Sequence, residues 1–283
     1  MLQTKPLSPG IGVQIADVDL SKPISDEVGG ELFDLFSEHC ILLIRDQKLT
    51  KDDLGRAASW IGPLEKRGRP TEVLRETDQY ITNVSNIREN GKLIGSLPDG
   101  EMLFHADNCF KEFPNRSSFL YAVEIPSKGG NTLFANLFKA YEMLPESLKK
   151  RVEHLSVLQA YDYSTYEADA KAAGISNVKG TVHPMIFAHP ANGRRVLFVN
   201  RLMTQRVERL SEKDSRELLD ELLIYVEHPS VVYEHHWRPG DFLVWDNLSS
   251  NHARTDFSAS ERRLLLRGTT KGDYRPAALE SAA

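Results

Sequence analysis

The chain is cut into short apolar runs, each too brief for an ordinary helix. CILLIRD, QYITNVSN, SSFLYAVEI, NTLFANL, RRVLFVN, DFLVWDN and RRLLLRGTT follow one another, with the turn signals PSKGGN, HPANGR and RPGD among them. Strands of this kind must close on one another to hide their apolar faces, so a sandwich or barrel of antiparallel strands is expected. A jelly roll in particular leaves a mouth between its sheets where a ligand can sit. Three segments break the pattern with helical spacing. SDEVGGELFDLFSEH offers Ser25 as N-cap and puts Val28, Leu32, Phe33 and Phe36 on one face. TKDDLGRAASWIG pairs Thr50 with Asp53 as a capping box. LSEKDSRELLDELLIYVEHP runs from Ser211, carries Leu218, Leu219, Leu222 and Leu223 as a stripe, and stops before Pro229. The fold class is therefore mainly β with helical additions.

No repeat, low-complexity tract or linker interrupts the 283 residues. Sandwiches and barrels of this length occur as one domain, so one domain over 1–283 is expected. With 41% hydrophobic residues the chain can fill a full core, and a net charge of -5 argues against a nucleic-acid partner. The apolar runs are far short of a membrane span. The first twenty residues lack a basic segment followed by an apolar one, so no secretory leader is expected. Two cysteines, Cys40 and Cys109, make no disulfide framework, and a reduced, cytoplasmic setting fits them. The segment AYDYSTYEADAKAAGISNVKG, at about 160–180, is small and charged and reads as a flexible flap.

Chemistry enters with FHADNCF. In a strand or at its edge, His105 and Asp107 point to one side. An imidazole and a carboxylate suit several divalent metals. Two histidines and one carboxylate on one face of the ion mark the non-haem Fe(II) oxygenases. Alone, His-x-Asp is read more simply as a hydrogen-bonded pair. A third ligand is easy to propose among nine histidines, and most have plainer explanations. His39 ends a helix, His154 and His228 lie in or after helical segments, and His183 and His189 precede prolines. His235 and His236 adjoin Trp237 and could be structural. His252 differs: it follows DFLVWDN directly, in WDNLSSNHARTDF. Beyond it, ERRLLLRGTT puts Arg263, Leu265 and Arg267 on one strand face. Solvent-facing arginines are the plainer reading of that strand taken alone. An inward guanidinium would instead grip a carboxylate through two parallel hydrogen bonds.

Taken in order, GIGVQIADVDLSKPI, ILLIRDQ, FHADNCF, GGNTLFANL, HPMIFAHPANGRRVLFVN, PGDFLVWDN, NHARTDF and ERRLLLRGTTKGD carry a resemblance over nearly the whole chain. It is to the taurine dioxygenase and phenoxyacetate dioxygenase family of Fe(II)- and 2-oxoglutarate-dependent oxygenases. The resemblance implies a double-stranded β-helix, or jelly-roll, core. It implies His105, Asp107 and His252 as the catalytic iron ligands. It implies Arg263, assisted by Thr132 of GGNT, as the partner of the distal carboxylate of 2-oxoglutarate. It further implies O2 as second co-substrate, with succinate, CO2 and a hydroxylated product. Arg267 is similar to an arginine that holds an anionic substrate. The substrate class is then a small carboxylate, aryloxyalkanoate, sulfonate or sulfate ester. Aspartate as a ligand argues against halogenation. Relatives commonly form dimers or tetramers, so a homo-oligomer is expected.

Three departures matter. Phe104 stands where the family often has tryptophan, and is a candidate pocket residue. Ala106 stands where it often has threonine or serine. Arg201, Leu202 and Met203 follow LFVN where the taurine enzyme continues with glycine and phenylalanine, which makes taurine a poor choice of substrate. Arg201 and Arg69 could also hold an anion, although solvated surface arginines explain them as well. Phe110 and Tyr121 could line the pocket or be plain core. Two other classes use the same three ligands: a metal-binding jelly-roll sensor that oxidises nothing, and a zinc hydrolase. Neither needs Arg263 with Thr132, and no general base for hydrolysis stands at a recognisable spacing.

Overall fold

Alternation along the strands builds two cores from one sheet. A computed structural model describes residues 1–66, 79–96, 100–161 and 180–279. Its larger sheet has seven strands in the order Thr4–Pro6, Val13–Ile15, Ile41–Ile44, Phe242–Asp246, Ser117–Glu124, Leu264–Thr269, Thr82–Ser85. Val13–Ile15 runs parallel to Ile41–Ile44, and the other pairings in this sheet are antiparallel. Leu42, Ile44, Phe242, Val244, Phe119, Tyr121 and Leu266 point to one side. There they pack with Leu32 and Phe36 of helix Asp26–His39 and with Leu54 of helix Lys51–Ala57. Ile41, Leu43, Leu243, Trp245, Leu120, Ala122 and Leu265 point to the other side. Both faces are covered, so the central strands are buried throughout.

The second core lies against a four-stranded antiparallel sheet, in the order Val232–His235, Thr132–Asn136, Ser250–Arg254, Met102–His105. Phe134 of this sheet meets Trp245 of the larger one with ring centroids 5.5 Å apart. Two mostly antiparallel sheets, face to face, make the expected jelly roll. The same core continues into a three-stranded sheet, Gly180–Pro184, Ser156–Ala160, Thr204–Val207, and the hairpin Ile186–Ala188/Arg195–Leu197.

Local signals hold at the helix starts. Ser25 accepts from the Val28 N–H, Thr50 and Asp53 form the capping box, and Ser211 accepts from the Asp214 N–H. Cys40 closes the first helix at φ 67° and is wholly buried; burial pushes its thiol, like that of Cys109, up to about 12. Two short helices, Leu137–Glu142 and Glu146–Val152, were not expected. The first begins where NTLFANL ends, with Asn136 capping it through the Phe138 and Lys139 N–H groups. His189, expected as turn or strand-end chemistry before a proline, does close the hairpin after Ile186–Ala188 through backbone bonds with Gly193 and Arg194, and its side chain is in addition buried, with Nε2 3.0 Å from Asp246 Oδ2. Arg116 also donates to that carboxylate. The flap expected at about 160–180 lies almost entirely outside the described residues.

Candidate metal and co-substrate site

His105 ends its strand directly opposite His252 on the neighbouring one. Their ring centroids are 4.1 Å apart. Asp107 follows two residues beyond the strand end. Its Oδ1 lies 3.8 Å from His105 Nε2 and 3.9 Å from His252 Nε2. The three side chains are buried, and their ligand atoms all lie within 4.8 Å of one another. Among the described residues no other group of three such side chains is placed to hold a metal.

Neighbours fix each ligand. His105 Nδ1–H donates to the Leu103 carbonyl over 2.8 Å, which leaves the Nε2 lone pair facing the cluster. Ser118 donates to Asp107 Oδ2. Asn247 ties this corner together. Its Oδ1 accepts the Asp107 N–H (3.3 Å) and the Trp245 indole N–H (3.1 Å), and its Nδ2 donates to Ser118 Oγ (3.1 Å). The His252 ring lies 4.7 Å from that of Trp245.

Burial pushes the His105 and His252 imidazoles below their ordinary range, so both are neutral at pH 7. Burial is the largest single influence on Asp107 and opposes its charge, but Arg267, His252, His105 and the Ser118 hydrogen bond together outweigh it and hold this carboxyl well below its usual range. Two neutral imidazoles and one carboxylate, their ligand atoms within 4.8 Å of one another, are the donor set that Fe(II) takes in the facial arrangement. The residues present fit that metal.

The arginine strand resolves in favour of the inward orientation. Leu265, between the two arginines, lies in the core between the sheets, whereas Leu264 and Leu266 pack on the helix side. Arg263 is 2% exposed. Its Nη2 donates to the Gly130 carbonyl (3.2 Å) and its guanidinium lies 5.6 Å from the Phe257 ring, but its Nε has no hydrogen-bond partner. No carboxylate among the described residues pairs with it. Burial, reinforced by Arg254, pushes it down to about 9, which leaves it charged at neutral pH. A buried guanidinium without an anion is costly, and a carboxylate entering the cavity would supply what it lacks.

GGNT builds this corner. Gly129 and Gly130 take φ of 76° and 65°. A Cβ at Gly130 would stand 3.1 Å from Arg263 Nε, and one at Gly129 would stand 2.3 Å from the Asp256 carbonyl oxygen. The turn then delivers Thr132 to the first position of its strand.

His105, His252, Thr132, Arg263 and Arg267 line one cavity, with Val84, Met102, Leu120, Trp245 and Ala253 as its apolar wall. Arg254 completes it and was missed in the sequence. It stands two residues after His252 in one strand, so alternation alone places it on the same face. Phe104 is not brought in. It precedes His105 in the strand, so its side chain leaves by the opposite face, and it is absent from the cavity lining. Arg201 is chelated by Glu227 at 2.8 Å and 2.7 Å and does not line this cavity. Arg69 lies outside the described residues. Tyr121 belongs to the helix-side core, its hydroxyl bonded to the Gln47 carbonyl, and Phe110 packs partly buried against the main core.

Comparison with known proteins agrees. Residues 3–270 match the family described as "Taurine catabolism dioxygenase TauD, TfdA family". Pentalenolactone F synthase of Streptomyces avermitilis is 32% identical over 277 residues, 92% of this chain and 90% of that protein. The alpha-ketoglutarate-dependent 2,4-dichlorophenoxyacetate dioxygenase of Cupriavidus pinatubonensis is 30% identical over 290 residues, 95% of this chain and 97% of that protein. The crystal structure of AAD-2 in complex with Mn(II) and N-oxalylglycine shares the fold, with a TM-score of 0.80, 24% identity, and coverage of 98% of this chain and 100% of that one. A match of this extent, with relatives alike from end to end, means that the chain belongs to the TauD/TfdA family of Fe(II)- and 2-oxoglutarate-dependent dioxygenases.

Proposed function

We propose that this dioxygenase hydroxylates a small anionic organic molecule, with His105, Asp107 and His252 holding Fe(II), Arg263 and Thr132 holding the distal carboxylate of 2-oxoglutarate, and Arg267 holding the substrate anion. The observation that carries this reading is Arg263: a buried guanidinium, unmatched by any described carboxylate, in the same cavity as the two histidines of a His-Asp-His cluster. A sensor or a hydrolase has no use for that charge.

Bound iron supplies the coupling of O2 reduction to the decarboxylation of 2-oxoglutarate, so that substrate, 2-oxoglutarate and O2 become hydroxylated product, succinate and CO2. The chain's own part is binding and exclusion. Ser118 and Asn247 keep the Asp107 carboxylate in one orientation. Leu103 keeps His105 in one tautomer. Val84, Leu120 and Trp245 make the cavity wall dry, which strengthens every charge pair inside it. Arg263 recognises a planar carboxylate in a way that lysine could not.

The substrate belongs to the class of carboxylates, aryloxyalkanoates, sulfonates and sulfate esters. Arg267, whose side chain is 26% exposed, supports an anionic group arriving from the mouth. The names of the relatives support aryloxyalkanoates and sulfate esters. The same reading includes one domain over the whole chain, a cytoplasmic setting in keeping with two buried free thiols, and a homo-oligomer, to which the exposed Leu210 and Ile224 could contribute an apolar contact. No described helix is long and apolar enough to cross a membrane.

The test begins without oxygen. Fe(II) and 2-oxoglutarate together should produce a weak visible charge-transfer band that neither gives alone and that His252→Ala abolishes. Succinate release is then screened over aryloxyalkanoates, sulfate esters and sulfonates. Tight zinc binding with no band would overturn the proposal.

A further inference from the structure

Thr132 has a neighbour that the metal and co-substrate assignments leave unused. The Trp237 indole N–H donates to Thr132 Oγ1 over 3.0 Å, and both side chains are buried. An indole N–H can only donate, so the direction of this bond is fixed. The threonine hydroxyl owns one proton and two lone pairs. Trp237 occupies a lone pair, and among the described residues the hydroxyl makes no other hydrogen bond. Its proton is left for an acceptor in the cavity that Thr132 lines together with Arg263.

We propose that Trp237 is a positioning residue for 2-oxoglutarate: it locks the Thr132 hydroxyl as a donor, so that every polar group at that end of the cavity donates to the distal carboxylate. The inference rests on the assignment of Thr132 and Arg263 to the co-substrate. Arg263 is a pure donor, and with the indole N–H on one lone pair the threonine proton points away from Trp237 and is available to a carboxylate.

The indole is held by a buried chain with a single consistent proton arrangement. His235 meets it edge-on, with centroids 4.5 Å apart and planes at 89°. His235 Nε2–H donates to Asp241 Oδ2 (3.1 Å), and Nδ1 accepts from the Tyr233 hydroxyl (3.0 Å). Asp241 is saturated by Arg45 Nη1 (2.8 and 2.9 Å) and the Arg238 N–H (2.9 Å). His235 also pairs with Thr132 across the two strands, so the support and the supported hydroxyl share one ladder.

Calorimetry on the Mn(II)-loaded protein, which binds 2-oxoglutarate without turning it over, gives the test. Trp237→Phe keeps the ring packing and removes the N–H. It should weaken 2-oxoglutarate about tenfold, the worth of one charge-assisted hydrogen bond. In steady state, kcat and the substrate KM should stay within about twofold while the 2-oxoglutarate KM rises. Thr132→Val should weaken binding similarly, and the double variant should be no worse than Thr132→Val alone, because the two groups act through one bond. Trp237→His, which keeps a ring N–H, should retain more affinity than Trp237→Phe. Unchanged affinity in Trp237→Phe beside a loss in Thr132→Val would overturn the inference and leave the co-substrate site standing; so would additive losses, or equal losses in the Phe and His variants. Unchanged affinity in both Thr132→Val and Arg263→Gln would overturn the site assignment and the inference together.

Discussion

Arg267 Nη2 lies 2.5 Å from Asp107 Oδ1, the carboxylate oxygen that also faces Nε2 of both His105 and His252. A guanidinium and a metal ion would therefore compete for one oxygen. A metal that took Oδ1 would leave Arg267 with a charge to satisfy, and the proposed substrate anion would satisfy it. The expected outcome is that metal loading and substrate binding are coupled through this carboxylate.

Arg267→Gln separates the two. Mn(II) should bind at least as tightly as in the parent protein, since a competitor for Asp107 is gone. The KM for the anionic substrate should rise on the order of a hundredfold, the cost of removing one partner of a close charge pair. Titration by electron paramagnetic resonance and steady-state kinetics measure both. Weaker Mn(II) binding with an unchanged KM would show that Arg267 serves the metal ligand instead.

Arg263→Met should decouple affinity from stability. Removal of the guanidinium should weaken 2-oxoglutarate on the order of a hundredfold, because a buried carboxylate then loses its partner. The ligand-free protein should not lose stability, and could gain about 1 kcal/mol, because an unmatched buried charge is replaced by an apolar chain. Chemical denaturation without co-substrate checks this. A large loss of stability would mean that the contacts to Gly130 and Phe257 outweigh the burial of the charge.

Asn247→Ala should weaken Mn(II) binding about tenfold to a hundredfold, the range found when a group that orients a ligand is removed. Asn247 touches no metal-binding atom; it acts on the Asp107 backbone and on Ser118. An unchanged metal affinity would remove it from the site.

Acidification should destabilise the metal-free fold. Burial depresses the imidazoles of His105, His183, His235 and His252. In the unfolded chain each takes its proton near pH 6.5. Below that pH the unfolded state holds more protons than the folded one, so stability falls as pH drops from about 6.5 towards the depressed folded values. Unfolding free energies in urea should be lower at pH 5.5 than at pH 7.5. Stabilisation by Mn(II) should shrink over the same interval, since protons compete for two of its ligands. Equal stability at the two pH values would contradict this account.

Much of this was legible in the sequence, for local reasons. The seven strand runs and three capped helices depend on neighbours within a few positions, and all are found. His105 with Asp107, and Arg263 with Arg267, depend on strand alternation, which the chain states openly. What stayed hidden depends on contacts far along the chain. Nothing near His189 shows that Asp246 waits 57 residues away. Nothing near Trp237 points to Thr132, 105 residues earlier. The helix Leu137–Glu142 is too short to show a period. For Arg263, alternation places it on one face with Arg267, but only the second sheet makes that face the inside. Arg254 could have been found by the same alternation, had it been carried two residues past His252.

The strand Leu264–Thr269 keeps chemistry on one face and helix packing on the other, and this makes the count of residues from Arg263 to Arg267 a kind of ruler. Inserting or deleting a single residue between the two arginines would put them on opposite faces of the sheet, one of them towards Leu32 and Phe36. Two residues would restore the shared face but shift one guanidinium by about 7 Å along the strand relative to the other. Descendants of this protein can therefore exchange side chains around the cavity freely, but they can scarcely change the count of residues in this one segment.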